Sequence, residues 1–274
     1  MLWLEEDEPQ DPEERGKAIA RADRRLTRRE RESRILVKRS EDYQVFDDVF
    51  DVPTLMVIND LRTDRIIGKV RGSLAAGKES KVYLAEAPDG SLLALKIYLT
   101  VSAEFKKRMQ YIAGDPRFSN IKKGSRNIMT LWARKEFRNM RAAHSAGVRA
   151  PAAIAVKKNV LVMEYVTDAE GDLARHLVEQ EVTADDYKQV IEQVVLLYQK
   201  ANLVHADLSE YNIFRSDRGI MLFDFGSAVD IKYPNSKQFL VRDVLNVNRF
   251  FEKRGIETRD TAYIVEQITK GAMN

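Results

Sequence analysis

The chain has 274 residues, 44% apolar and 32% charged, with 45 Lys and Arg against 42 Asp and Glu. This is enough for one two-lobed domain with a sizeable core, beneath a surface rich in ions of both signs; the net charge of +3 marks no particular partner. The absence of Cys excludes disulfides, thiolate zinc sites and a cysteine nucleophile, so any metal must sit on oxygen ligands or on the three His. No apolar run reaches the roughly 18 residues of a membrane span, and no basic segment leads into an apolar leader. The reading is a cytoplasmic protein with no membrane partner.

Residues 5 to 14 are acidic, and residues 15 to 39 carry Arg24, Arg25, Arg28, Arg29, Arg31, Arg34, Lys38 and Arg39 with few apolar partners. Such an arm, taken as 1–45, cannot bury a core of its own. It reads either as a solvated helix or tail, or as a basic arm that docks on nucleic acid or an acidic protein surface. Asp51 to Leu61 places Pro53 in the first turn of a short helix, within a helical extension over 46–67. The pattern then changes to strands: Lys81–Ala85 and Leu92–Tyr98 flank a Pro88-Asp-Gly90 turn and read as a hairpin. A Gly-containing loop, Gly72 to Ser80, is expected just before it. Residues 101–129 are polar, carry Gly114, Pro116 and Gly124, and predict a long mobile insertion. A helix is expected over Leu131–His144 and a strand over Leu161–Val166. A capped helix then opens at Thr183 and keeps Tyr187, Val190, Ile191, Val194, Val195 and Tyr198 at helical spacing.

The chemistry-bearing residues follow in an order that phosphoryl transfer from ATP requires: a backbone cradle, a cation on the phosphates, oxygen ligands for Mg²⁺ and a base for the acceptor. Lys96 lies inside an apolar strand, where an unpaired ammonium is costly, and Glu136 on the following helix can meet it. Asp207 and Asn212 are five residues apart in an irregular segment, and Asp224 follows the apolar strand Gly219–Phe223. Asp224 is a hard anionic ligand and Asn212 a neutral one, a set suited to Mg²⁺ that keeps phosphate oxygens and water. Asp207 is then free to orient or deprotonate a hydroxyl. Each alone could be a turn residue; the ordered set points to a kinase.

His205-x-Asp207-Leu-x-x-x-Asn212 and Asp224-Phe-Gly226 resemble the catalytic-loop and metal-loop signatures of protein kinases, and Leu93-Ala-Leu-Lys96 resembles the strand bearing their Lys, over about residues 68–250. The resemblance implies an α+β, two-lobed protein-kinase-like fold: a β-rich lobe over 68–166 with a hinge at 161–166, and a mainly helical, truncated lobe over 167–274. It also implies that Ala75, Gly77, Lys78, Glu79, Ser80 and Val82 cover the nucleotide, that backbone groups of Glu164 and Val166 hold adenine, and that Met163 is the gatekeeper.

Four departures narrow the resemblance. Only Gly77 survives of the glycine-rich loop, Ala206 stands for its Arg, Ser209 for its Lys, and 48 residues follow Gly226 with no Ala-Pro-Glu motif or room for peptide-docking helices. Ala75-Ala-Gly77-Lys-Glu-Ser80, Tyr111–Phe118 and Trp132-Ala-Arg-Lys-Glu136 resemble the RIO family of atypical kinases, and the last two resemble its first subfamily. That resemblance implies ATP with Mg²⁺ or Mn²⁺ as cofactor, serine autophosphorylation, ATPase activity through a transient phosphoryl group on Asp224, and a small ribosomal subunit precursor as partner. Two other readings stand beside it: an aminoglycoside- or choline-type kinase, which shares the His-x-Asp loop, and a nucleotide-gated RNA- or ribosome-binding module.

Overall fold

The structure is a computed structural model that describes residues 51–77, 79–99 and 125–271. The charged arm 1–45, the start of the helical extension at 46–50, Lys78, Thr100 and residues 101–124 of the expected insertion 101–129 lie outside the described residues. Helix α1 (Val52–Thr63) buries Val57, Ile58 and Leu61, so the helical spacing read from Asp51 onward is realised as a packed face. It docks on the sheet through Asn159, whose Nδ2 donates to Thr54 Oγ1 at 3.1 Å, and through Lys157 Nζ, 2.8 Å from Asp64.

Five strands follow: β1 (Lys69–Ala76), β2 (Ser80–Glu86), β3 (Leu92–Tyr98), and, after helix α2 (Ser125–Ser145), β4 (Ala153–Lys157) and β5 (Val160–Glu164). They form one antiparallel sheet in the order β1-β2-β3-β5-β4. The β2–β3 hairpin is the one the Pro88-Asp-Gly90 turn predicts. Two expectations are corrected. Gly72 to Ala76 is strand β1 rather than loop, which leaves Gly77 and Glu79 as the described residues between β1 and β2. The strand is hard to read because it lies at the sheet edge, largely exposed and twice shifted in register, so no apolar alternation marks it. Likewise α2 begins at Ser125, inside the span expected to be insertion. Its first turns are polar in sequence, but Met129, Trp132 and Ala133 bury against Tyr98 of β3, a tertiary contact that local pattern cannot show.

The second lobe is built on α3 (Ala184–Gln199), α4 (Ser236–Glu252) and α5 (Thr261–Lys270), with the paired short strands β6 (Leu203–Val204) and β9 (Val229–Asp230), and β7 (Ile213–Ser216) and β8 (Gly219–Leu222). Thr183 caps α3 reciprocally: the Asp186 amide donates to Thr183 Oγ1 at 3.2 Å, and the Thr183 amide donates to the Asp186 carboxylate at 2.7 Å. The buried face of α3 holds Tyr187, Val190, Ile191, Val194, Gln193 and Leu197, whereas Val195 and Tyr198 are only partly buried. Gln193 is inside because its Oε1 accepts from the Arg149 amide at 2.7 Å. One apolar cluster runs from Met140 of α2 and Leu161 of β5 through α3, α4 and α5, so the two lobes share a core. Thr183→Ala removes the cap acceptor and is expected to lower the unfolding free energy by about 1 kcal/mol; an unshifted urea midpoint would contradict it.

Candidate active site

Val82 on β2 faces Lys96 on β3, Ala75 on β1 faces Val82, and Ala94 faces Met163 on β5. Directly opposed residues, and residues two apart along a strand, share a face. Ala75, Val82, Ala94, Lys96 and Met163 therefore lie on one side of the sheet. At the hairpin tip the Gly77 amide donates to the Ser80 carbonyl at 2.9 Å, and a Cβ at Gly77 would sit 3.3 Å from that same oxygen. The tip closes this tightly because residue 77 has no side chain. The Glu79 carbonyl accepts from the Leu99 amide at 2.9 Å and ties the tip to the end of β3.

On that face Lys96 is buried, its side chain 9% exposed, with its Nζ 2.9 Å from Glu136 Oε1 of α2 and 2.9 Å from Asp224 Oδ1. Glu136 is 1% exposed and also accepts from the Tyr98 hydroxyl, whereas Asp224 is 40% exposed. Burial alone would push the Lys96 ammonium down, but the charges and hydrogen bonds of Asp224 and Glu136 outweigh it and raise its pKa. Burial pushes the Glu136 carboxyl up to about 7 against the opposing pull of Lys96.

Asp207 and Asn212 come together through the Asn212 amide, whose Nδ2 donates to the Asp207 carbonyl at 2.8 Å. The Phe223 amide donates to the Asn212 carbonyl at 3.1 Å, and the Phe223 ring stacks on Phe214 with centroids 3.8 Å apart. A continuous set of contacts thus runs from Asp207 through Asn212 and Phe223 to Asp224, Lys96 and Glu136. His205 bridges the same two loops: its Nε2 lies 2.9 Å from the Phe223 carbonyl, and since a carbonyl only accepts, Nε2 carries the proton. Burial holds this imidazole below its ordinary pKa, hence neutral.

Sequence reading missed three residues that fix these loops. Asp243 of α4 is buried and accepts from the Ala206 amide at 2.7 Å and the Leu208 amide at 3.0 Å, gripping Asp207 from both sides. Lys135 of α2 is fully buried and donates to the carbonyls of Gly226 and Ala228, while Asn139 donates to those of Phe225 and Ala228. The signals were a Lys and an Asn on the apolar side of α2 and an Asp on the apolar side of α4, polar residues that a core admits only when they are paired. Ala206 and Asp224 sit at φ 61° and 60°, left-handed backbone that costs a residue with a Cβ. At Ala206 it is held by Asp243 on the amide and by the Arg242 guanidinium on the carbonyl.

At the expected hinge, Leu161 and Val162 are core residues of β5, and the strand ends at Glu164. The Glu164 amide donates to the Ala152 carbonyl at 2.9 Å and its carboxylate pairs with Arg218, so only its carbonyl could meet a ligand. Among the described residues no cluster of three His or acidic groups could hold a metal. The oxygen set of Asp224 and Asn212 fits an ion of the Mg²⁺ type, which uses one or two protein ligands and completes its shell with phosphate and water.

Comparison with known proteins decides the lineage. A family model described as RIO domain matches residues 81–264, two thirds of the chain. The chain belongs to the RIO kinase family. It is 38% identical to the RIO-type serine/threonine-protein kinase Rio1 of Haloferax volcanii over 86% of this chain and 82% of that protein, and 36% identical to Rio1 of Methanocaldococcus jannaschii over 79% and 74%. The human serine/threonine-protein kinase RIO1 is 33% identical over 85% of this chain, which spans only 42% of it. Among solved structures, the Rio2 kinase-ADP/Mg²⁺-phosphoaspartate complex from Chaetomium thermophilum shares the fold, with a TM-score of 0.60 and 21% identity over 78% of this chain and 66% of that one. This RIO kinase is therefore a protein kinase of the Rio1 type, and the small-molecule kinase reading falls away. No helix among the described residues is long and apolar enough to cross a membrane.

The buried Asp243 gives a pH-dependent outcome. Burial raises its carboxyl to about 7 against the lowering effect of the Leu208 and Ala206 amides. A raised folded pKa favours the fold below the unfolded value near 4, and that advantage is lost as pH rises through 7. Urea denaturation across this window should show stability falling with pH, and Asp243→Asn should make the fall shallower; an unchanged slope would contradict the burial argument.

Proposed function

We propose that this RIO kinase binds ATP between its lobes and transfers or hydrolyses the γ-phosphoryl group in the service of small ribosomal subunit maturation. The observation that carries the reading is Lys96 Nζ held 2.9 Å from both Glu136 and Asp224. A buried ammonium oriented by one enclosed carboxylate, with a second, half-exposed carboxylate beside it, suits a group that meets phosphate oxygens at the mouth of the site. Ala75, Gly77, Glu79, Ser80 and Val82, with Lys78 outside the described residues, would cover the nucleotide from the β1–β2 hairpin. The Glu164 carbonyl and the Val166 amide would meet the adenine edge, and Met163 would wall the pocket.

Asp224 and Asn212 would hold Mg²⁺, which supplies charge neutralisation at the β- and γ-phosphates. Mn²⁺ would fit the same oxygens. Asp207 orients the attacking hydroxyl or water and accepts its proton. Its backbone is fixed before substrate arrives, since Asp243 and Asn212 hold the peptide groups around it, and such preorganisation lowers the cost of reaching the transition state. A structural relative carries a phosphoaspartate by its description. The corresponding step here is attack of an Asp224 carboxylate oxygen on the γ-phosphorus, with the bond to ADP breaking. Water then hydrolyses the acyl phosphate to release inorganic phosphate and restore the carboxylate.

Asp207→Ala is expected to abolish phosphate release from ATP while a fluorescent ATP analogue still binds; unchanged turnover in this variant would defeat the catalytic assignment. For the biological setting, the protein is expected to co-sediment with small-subunit precursors to different extents in ATP and ADP. Identical sedimentation, or none, would remove the ribosomal part of the reading and leave the kinase part standing.

A further inference from the structure

Asn212 is presented by the 3₁₀ turn Glu210–Asn212, which holds no buried residue and has no side-chain cap at Ser209. Tyr211 within it is 61% exposed and lends it little packing. A turn of this kind owes its shape to hydrogen bonds. The Asn212 amide closes it on the Ser209 carbonyl at 2.9 Å, while the Asn212 side chain and carbonyl are tied to Asp207 and Phe223. The peptide that enters Asn212 is met from outside the catalytic-loop motif by the half-buried His176, whose Nδ1 lies 2.9 Å from the Tyr211 carbonyl. A carbonyl only accepts, so Nδ1 carries the proton.

The same imidazole meets the neighbouring loop. Its ring packs on Phe214 and Phe223, with centroids 5.0 and 5.3 Å away, and Phe223 immediately precedes Asp224. His176 is itself firmly held. Its backbone is bridged to Phe214, the Arg175 carbonyl accepts from the Arg215 amide at 3.3 Å, Leu177 is fully buried, and the Val178 carbonyl accepts from the Arg254 guanidinium at 2.8 Å.

We infer that His176 is a positioning residue for the divalent ion: by its Nδ1–H bond to the Tyr211 carbonyl it sets the place of Asn212 beside Asp224. The inference rests on the reading of Asn212 and Asp224 as the ligands of that ion. With the Asn212 Nδ2 committed to the Asp207 carbonyl, its Oδ1 is the atom left to ligate, and the peptide held by His176 governs where that oxygen sits. Removing a group that orients a ligand from behind costs about 10- to 100-fold in metal affinity. His176 acts through one intervening peptide, so the effect belongs at the lower end of that range.

The test follows binding of a fluorescent ADP analogue to the full chain by anisotropy, titrated with Mg²⁺ and repeated in EDTA. His176→Phe keeps a ring and removes the donor, whereas His176→Asn keeps a donor as many bonds from the backbone as Nδ1 and removes the ring. His176→Phe is expected to need about tenfold more Mg²⁺ for half-maximal binding, with its affinity in EDTA unchanged. His176→Asn is expected to stay within about twofold of the unmodified chain, since its donor replaces the one lost. An unshifted titration in His176→Phe, an equal shift in both variants, or a loss of affinity equal with and without Mg²⁺ would each overturn the proposal, the last two by showing a merely structural role. Without any variant, nitrogen–proton couplings of the His176 ring, at a pH where the imidazole is neutral, are expected to show the Nδ1–H form; the Nε2–H form would also overturn it. Asn212→Ala separates the two levels of the argument. A shift there with none in His176→Phe removes only the role of His176, while no shift in Asn212→Ala removes the ligand reading and this inference with it.

Discussion

The arrangement turns on one buried ammonium. Lys96 comes from the middle strand of the sheet, Glu136 from a helix 40 residues later and Asp224 from a loop 128 residues later, and all three meet at 2.9 Å. Removing Lys96 and Glu136 from water costs several kcal/mol per ion, and only close pairing offsets it. The fold therefore has little freedom in how α2 and the loop carrying Asp224 approach β3: a displacement that separates them leaves the buried ammonium without compensation. The unequal exposure of the two acids matters as well. Glu136 is sealed and further engaged by the Tyr98 hydroxyl, whereas the Asp224 side chain stays 40% exposed.

Around this pair the protein uses buried polar side chains to hold backbone that would not otherwise keep its shape. Lys135 and Asn139 occupy carbonyls of the loop that follows Asp224, and Asp243 occupies the amides on either side of Asp207. Such contacts explain how two non-glycine residues keep a left-handed conformation at the site. Local strain survives where surrounding bonds over-determine it. α2 and α4 thereby act as braces, and their apolar neighbours in the shared core keep the braces from shifting relative to the sheet.

Much of this was legible in the order of residues. The β2–β3 hairpin followed from its turn, α3 from its cap and spacing, and the kinase-like lineage from His205-x-Asp207, Asn212 and Asp224-Phe-Gly226. What was missed shares one character. β1 pairs by backbone alone at a sheet edge, and the first turns of α2 are fixed by burial of Met129 and Trp132 against another element, so neither leaves a periodic trace. Lys135, Asn139 and Asp243 look like ordinary helix residues until their partners are known, because each binds a carbonyl or amide 35 or more residues away.

The sequence by itself pointed to the chemistry, since an apolar strand that carries Lys96 calls for a carboxylate partner, and the oxygen groups of Asn212 and Asp224 are of the type that suits a divalent ion. It determined the class of fold through turn, cap and period, which are local properties. Only the tertiary structure decided which groups hold the two loops in place and that Asp224 shares Lys96 with Glu136. It also decided that His176 meets both the Tyr211 carbonyl and the Phe223 ring. Those facts depend on distances between segments far apart in the chain, and residue spacing along a sequence carries no information on them until packing has fixed which faces meet.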